Sequence, residues 1–155
     1  MAPRVLDAFR RGYPGAKACD LFAIWMSSGF RRAALRQASA KGAQGAAPAY
    51  VYLFAWNSPI LDGRVRSYHC AELPFVFANT DRCDAATGGG PFARALAARV
   101  SEAWIRFART GDPNHDGLPK WPAFTAENGA TMVFDNTCGT AYHADREELN
   151  ALPGL

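Results

Sequence analysis

The feature that most constrains this chain is an unbroken apolar run from Tyr50 to Trp56. A half-exposed antiparallel strand alternates apolar and polar residues, whereas a parallel strand covered by helices on both faces is apolar throughout. The run therefore predicts a strand of an α/β sheet that needs neighbouring strands on both edges and packed layers on both faces.

The remaining pattern supplies helices and few further strands. It predicts helices over residues 3–11, 20–38, 91–109 and 145–152, and short strands over residues 131–134 and 139–142. Asp20 and Asp145 are expected to cap the second and the last helix, and Ser27-Ser28-Gly29 is expected to interrupt or bend the second. Two or three strands are too few to complete the sheet that the Tyr50 run requires.

The third of these helices carries the clearest helical spacing of apolar residues in the chain. Its apolar stripe consists of Leu96, Val100, Ala103, Trp104, Phe107 and Ala108. Gly111 is expected to end this helix, because a glycine after the last turn tolerates the left-handed backbone found there.

Length, composition and charge indicate one globular unit with no nucleic-acid footprint. The chain has 155 residues, of which 49% are apolar, and its 17 basic and 14 acidic side chains are spread along the sequence. A phosphate-binding surface would concentrate cations on one face, with a domain pI above about 9. We therefore predict no nucleic-acid partner.

No stretch of the sequence predicts a membrane span. The longest apolar run is far shorter than the roughly 20 residues that a transmembrane helix needs. Residues 1–7 lack the apolar core of a signal peptide. We predict no membrane partner and leave the compartment open.

The four cysteines are Cys19, Cys70, Cys83 and Cys138. None of them forms a C-x-x-C pair, so a zinc ribbon or a thioredoxin-like redox site is poorly supported. They are compatible with buried free thiols or with two disulfides, and the sequence does not choose among the three possible connectivities.

Of the three histidines, only His69 occupies a position that favours chemistry. It follows the Tyr50 strand by a short loop, and the carboxyl ends of strands in open α/β sheets are where catalytic groups collect. His115 lies in a polar loop and His143 near the end of the last predicted strand. Both are predicted to be ordinary surface or hydrogen-bonding groups.

The chain lacks a nucleophile in a catalytic setting. The nearest approach to Gly-x-Ser-x-Gly is Trp25-Met26-Ser27-Ser28-Gly29, in which a tryptophan replaces the first glycine and a helical pattern precedes the serine. Cys70 has no visible group to stabilise a thiolate. A metal site built from His69, Cys70, Glu72 and Cys83 is also weak, because no ligand pair has a spacing typical of zinc proteins.

The residues around His69 resemble the histidine block of type-B carboxylesterases. The block is formed by Tyr50-Val51-Tyr52-Leu53-Phe54-Ala55-Trp56-Asn57-Ser58-Pro59 and His69-x-x-Glu72-Leu73-Pro74-Phe75-Val76-Phe77. Further matches occur in the family's order at residues 13–15, 20–22, 90–91, 104–114, 121–124 and 131–135. The chain is identified on these residues as a member of the family over nearly its whole length.

This resemblance implies a partial α/β-hydrolase fold, made of the C-terminal strands and helices of a mostly parallel sheet. Residues 1–155 are expected to be the C-terminal part of one type-B carboxylesterase domain, incomplete and without a second domain. The family cleaves small-molecule carboxylic esters with a serine, an acid and a histidine, and needs no cofactor or metal. By match to its motif, His69 is the general base, and Glu72 is assigned to holding the histidine loop.

The family's chain order places the serine and the acid before the histidine, so both are expected upstream of Met1. Two local departures are Cys70, where glycine or alanine is common, and Arg32, where proline is common. The first functional hypothesis is an esterase segment that is inactive or nearly so alone. The second is a noncatalytic module that pairs with a separate N-terminal esterase segment through the edge of the Tyr50 strand.

Overall fold

A computed structural model describes residues 3–153. The helices are α1 (Pro3–Gly12), α2 (Ala18–Ala43), α3 (Leu73–Val76), α4 (Asp84–Thr87), α5 (Pro91–Thr110) and α6 (Arg146–Ala151). The strands are β1 (Val51–Phe54), β2 (Ala130–Phe134) and β3 (Gly139–Tyr142), and short 3-10 helices occur at Ile60–Gly63 and Thr80–Arg82. The predicted strands are confirmed, within one or two residues at their ends.

The three strands form one mixed sheet in the order β1-β2-β3. β1 runs parallel to β2, with Val51 opposite Thr131 and Phe54 opposite Phe134, and β3 is antiparallel to β2. Within residues 3–153, no strand pairs with the other edge of β1. Only Val51 of β1 is buried, and the rest of the strand is half-buried, as expected for an apolar strand that has one of its two neighbours.

Helix α5 packs on this sheet and forms its main core. Its buried residues are Ala93, Leu96, Ala97, Val100 and Ala103, and it ends at Gly111, whose φ of 78° confirms the predicted stop. At the end of the predicted stripe, Trp104 and Phe107 are each 44% exposed and pack edge-to-face on Tyr52 and Tyr50, with ring centroids 6.2 and 6.1 Å apart. Ala108 is exposed.

Helix α2 is continuous over 26 residues, so the interruption expected at Ser27-Ser28-Gly29 was wrong. The Ser27 and Ser28 hydroxyls donate to the Ile24 carbonyl at 2.9 and 2.7 Å, which satisfies them inside the helix. The prediction that Asp20 caps α2 was also wrong. Lys17 is the N-cap, and Asp20 is the third residue of the helix, where its carboxylate accepts the Lys17 amide at 3.3 Å.

The short helix α6 closes the N-terminal region by packing against α1. Asp145 precedes α6 but does not cap it with its side chain, which corrects the prediction. The carboxylate instead accepts a hydrogen bond from the Tyr13 hydroxyl and forms an ion pair with Arg31, whose Nε lies 2.6 Å from it. A small separate core of Val5, Phe9 and Leu21 lies in this region.

None of the helices in residues 3–153 combines the length and the apolar character that a membrane crossing would demand.

Candidate active site

His69 lies on a loop between the 3-10 helix Ile60–Gly63 and helix α3, downstream of the carboxyl end of β1. Its side chain is exposed, and its imidazole forms no hydrogen bond with another residue in the 3–153 range. Both ring nitrogens therefore remain accessible to an incoming group. This is the position that the sequence predicted for the catalytic candidate.

The segment before His69 is fixed to the end of β1. The Ser67 hydroxyl donates to the Trp56 carbonyl at 2.6 Å, and the Ser58 amide donates to the Arg66 carbonyl at 3.3 Å. Ser58 is fully buried, and its hydroxyl donates to the Ala86 carbonyl at 2.8 Å. These bonds fix the backbone that precedes His69 and do not involve its imidazole.

The segment after His69 is fixed by burial. The Ala71 amide donates to the Tyr68 carbonyl at 3.0 Å, which closes a turn around His69, and Ala71 is 2% exposed. Phe75, the first large buried side chain downstream, packs its ring 4.9 Å from that of Trp56. The loop is therefore anchored at both ends, while the imidazole between the anchors projects into solvent.

An ion pair adds a third anchor that sequence reasoning missed. Arg66, three residues before His69, donates from Nε and Nη2 to the two carboxylate oxygens of Asp20 at 2.9 and 3.1 Å. Bidentate pairs of this kind restrict geometry more than single contacts do. The hydrogen bonds from Arg66 hold the pKa of the Asp20 carboxyl below its ordinary value. The partners are far apart in the sequence, and no local pattern indicates their contact.

Backbone strain is concentrated in the same loop. Cys70 has a φ of 65°, and Leu61, Asp62 and Arg66 also have positive φ values. An L-residue in the left-handed region is strained, whereas glycine adopts it freely. A glycine at position 70 would relieve this strain.

Glu72 supports the loop through its backbone. Its carbonyl accepts the amides of Phe75 and Val76 at 2.9 and 3.0 Å, which begins helix α3. Its half-buried carboxylate forms no hydrogen bond with another residue in the described part of the chain. Burial raises the pKa of the Tyr52 phenol, and the negative charge of Glu72 raises it further. A loop-holding role for the Glu72 side chain stays a prediction.

The other candidate residues have local structural explanations. Ser27 lies inside α2 with its hydroxyl on a helical carbonyl, so it lacks the strand-turn-helix setting of a nucleophile elbow. His143 Nε2 lies 2.7 Å from the Glu127 carbonyl. His115 is half-buried rather than simply solvent-exposed, which corrects the prediction. Its Nδ1 accepts the Gly117 amide at 3.1 Å, so Nε2 donates to the Arg99 carbonyl at 3.0 Å.

The cysteines are free thiols in the structure, and their burial differs from the expectation for free thiols. Cys138 alone is buried, Cys83 is half-buried, and Cys19 and Cys70 are exposed. Among residues 3–153, no three His, Cys, Asp or Glu side chains come together as a possible metal site. His69, Cys70, Glu72 and Cys83 thus form no such group.

The chain is similar in sequence to two bacterial hydrolases. The chain is 46% identical over 94 residues to the phenmedipham hydrolase of Pseudarthrobacter oxydans, a match that covers 56% of this chain and 18% of that protein. It is 34% identical over 109 residues to the para-nitrobenzyl esterase of Bacillus subtilis, covering 69% of this chain and 22% of that esterase. The chain therefore spans about a fifth of the length of these relatives.

Solved structures of esterases share the fold. A carboxylesterase of Geobacillus stearothermophilus superposes with a TM-score of 0.78 at 34% identity, covering 96% of this chain and 31% of that chain. An esterase of Clostridium hathewayi that can hydrolyze aliphatic aromatic polyesters gives a TM-score of 0.74 at 32% identity, covering 95% of this chain and 28% of that chain. These neighbours confirm a partial α/β-hydrolase fold for the three-stranded sheet and its helices.

The model of the carboxylesterase family matches residues 21–151, which include the apolar strand, the His69 loop, α5 and the last two strands. The match spans most of the chain, and it agrees with the resemblance found in the residues around His69. This chain belongs to the carboxylesterase family.

Proposed function

We propose that this chain supplies the general base of a serine ester hydrolase, and that His69 is that base. The observation that carries the proposal is the exposed imidazole of His69, unbonded within residues 3–153, on a loop anchored at both ends. An anchored backbone fixes where the ring is, and an unbonded ring nitrogen can accept a proton. The substrates proposed are small-molecule carboxylic esters.

In this mechanism the imidazole of His69 takes the proton of a serine hydroxyl as its oxygen attacks the ester carbonyl carbon. The resulting imidazolium returns the proton to the alkoxide that leaves when the tetrahedral intermediate collapses. Water then attacks the acyl-serine with the same base, which releases the carboxylic acid and restores the hydroxyl. Residues 1–155 serve in this proposal as the C-terminal part of the domain, and the serine and acid belong to the part that precedes it.

The chain alone is expected to turn over esters about as slowly as free imidazole does. The triad acts as a unit, so loss of its serine removes about a million-fold in kcat. Ser27 does not replace the missing serine, because its hydroxyl is bonded within helix α2. Measured turnover of 4-nitrophenyl acetate by the chain, abolished by Ser27→Ala, would contradict the proposal.

The role of His69 is tested in a complete domain. This chain is fused to the preceding part of the Geobacillus stearothermophilus carboxylesterase, which it resembles in fold. We expect His69→Ala to lower kcat/KM by about 10⁴-fold or more, because the serine loses its base. The matched control is His115→Ala, whose ring bonds the Arg99 carbonyl within α5 and should leave kcat/KM within about threefold once folding is verified by circular dichroism. Equal activity of both variants would overturn the assignment.

A second candidate function is assembly without catalysis, in which the chain pairs with a separate N-terminal esterase segment. It is favoured by the edge of β1 that pairs with no strand in residues 3–153, since such an edge can add a strand from another chain. A fluorophosphonate probe distinguishes the two. Labelling of the segment's serine that depends on this chain but not on His69 would support assembly alone, and dependence on His69 would support catalysis.

A further inference from the structure

A cleft lies on the side of the molecule formed by α2, α6 and the segment that follows β3. It has a volume of about 490 Å³ and receives the side chains of Arg31, Arg32, Arg36 and Arg146. No aspartate or glutamate lines it. The cleft is separate from the His69 loop, none of whose residues contributes to its walls.

The positive charge of this arginine cleft is only partly neutralised. The Arg31 guanidinium pairs with Asp145 at 2.6 Å. Arg32 donates to the neutral carbonyl oxygens of Pro153 and Leu152, at 2.9 and 3.4 Å. Arg36 and Arg146 are exposed and form no ion pair with a carboxylate of residues 3–153. Two guanidinium groups are thus available to an anion, and Arg32 adds a third charge that no carboxylate of residues 3–153 pairs with.

The rest of the cleft is apolar. The half-buried side chains of Leu35 and Leu152 line it between the arginines, and the buried Phe124 and Leu149 lie behind them. An inorganic anion or a nucleic-acid backbone would leave these walls without a partner. A ligand that combines an anionic group with a compact apolar body would satisfy both parts of the surface.

The cleft is also oriented away from the surfaces that lack neighbours. The exposed Phe22, Met26 and Phe30 recur every four residues along α2 and share one helix face, whereas Leu35 and Arg32 lie on another. The sheet residue in the cleft wall is Thr131 of β2, while the unpaired edge belongs to β1. The unpaired edge of β1 is therefore not part of the cleft wall.

We propose that the arginine cleft binds an amphiphilic organic carboxylate, with Arg36 and Arg146 contacting its carboxylate and Leu35 and Leu152 contacting its apolar body. Arg32 adds positive charge to the site from helix α2. The proposal is independent of catalysis by His69, because it concerns binding at a different surface.

The test titrates the 155-residue chain with 3-phenylpropionate and follows backbone amide shifts by NMR. We expect saturable shifts that are largest at Ala144, Arg146 and Asn150 in the cleft wall. The expected Kd is about 1 mM, which is typical of a small ligand held by few contacts. The neutral analogue 3-phenylpropan-1-ol and the tail-less acetate should each bind at least about tenfold more weakly, because each lacks one of the two contacts.

Variants separate specific binding from general attraction to a basic protein. Arg36→Gln with Arg146→Gln should weaken binding of 3-phenylpropionate at least about tenfold, and the paired lysine substitutions should restore part of it, because lysine keeps the charge. Arg109→Gln, an exposed arginine of α5 outside the cleft, is the matched control and should change Kd less than twofold. Circular dichroism verifies folding. Equal binding of acid and alcohol, no saturable shifts at about 10 mM, or equal Kd values for the cleft and control variants would overturn the proposal.

Discussion

The two long helices of this molecule differ sharply in how much of their apolar surface is buried. α5 has 20 residues and buries five of them against the sheet. α2 has 26 residues and buries only Leu21, Ser28 and Ala38, while Phe30 on its outer face is 82% exposed. The fraction of a helix that is buried depends on which elements pack against it and not on its composition alone. The ring of Phe22 lies 5.8 Å from that of Trp25 on the same helix, yet Phe22 stays 57% exposed. The free edge of β1 likewise pairs with no strand within residues 3–153.

The largest effect is expected in the core beneath α5. Phe75 is fully buried, and its ring lies 5.0 Å from that of Phe54. Phe75→Ala should lower the free energy of unfolding by about 3–5 kcal/mol, because it removes a large side chain and leaves a cavity. Urea unfolding followed by tryptophan fluorescence measures the change. Phe77→Ala, two residues on and 70% exposed, is the control and should stay within about 0.5 kcal/mol.

A smaller effect is expected in the core of α1 and α2. Leu21 is 5% exposed, and Leu21→Ala should cost about 2 kcal/mol, the low end for a buried leucine, because few residues surround it. Its neighbour Phe22 is 57% exposed, and Phe22→Ala should cost less than about 0.5 kcal/mol. Chemical denaturation of both variants gives the two values. Equal costs would mean that the outer face of α2 is covered in solution.

The same substitution at two cysteines should have opposite signs. Cys70→Gly should stabilise the chain by about 0.5 kcal/mol, because relief of the strained φ of 65° exceeds the added entropy of the unfolded glycine. Cys19→Gly, in the first turn of α2, should destabilise it by about 0.3 kcal/mol, since glycine is the poorer helix former. Thermal unfolding of the pair compares them under reducing conditions. A loss of stability in both variants would show that Cys70 makes contacts that outweigh its strain.

The smallest effect concerns the Asp20–Arg66 pair that joins α2 to the His69 loop. Arg66 lowers the pKa of Asp20, so the pair contributes stability above the ordinary aspartate pKa and loses it as pH falls through the lowered value. Arg66→Gln should therefore raise the pKa of Asp20, measured by NMR titration of its carboxyl carbon. Arg64→Gln, which removes the exposed partner of Asp62, should leave the pKa of Asp20 unchanged.

Sequence reasoning located the parts of this structure that depend on local pattern. The apolar run predicted β1, and helical spacing predicted most of α5. Gly111 was correctly predicted to end that helix. It failed at Ser27-Ser28-Gly29, because serine hydroxyls can bond back to a helical carbonyl as easily as they can break a helix. It also failed at Asp145, whose carboxylate bonds residues more than a hundred positions away.

The candidate site shows the same division. The position of His69 after β1 followed from the order of strand and loop. The anchors of its loop did not, because the Asp20–Arg66 pair and the Ser58 and Ser67 bonds depend on contacts between segments that the fold brings together. Periodicity placed Trp104 and Phe107 in one stripe with Leu96 and Val100, but it did not predict that they stay 44% exposed, because it describes one helix and not the layer beside it.

The register of the parallel pair has a kinetic consequence. Val51 pairs with Thr131, so eighty positions of chain separate the two partners. At a synthesis rate of about 5–20 residues per second, the ribosome needs about 4–16 s to deliver β2 after β1 has emerged. The β1–β2 pair can form only after residues 130–134 have been synthesised, so β2 covers this edge of the apolar β1 segment late in translation.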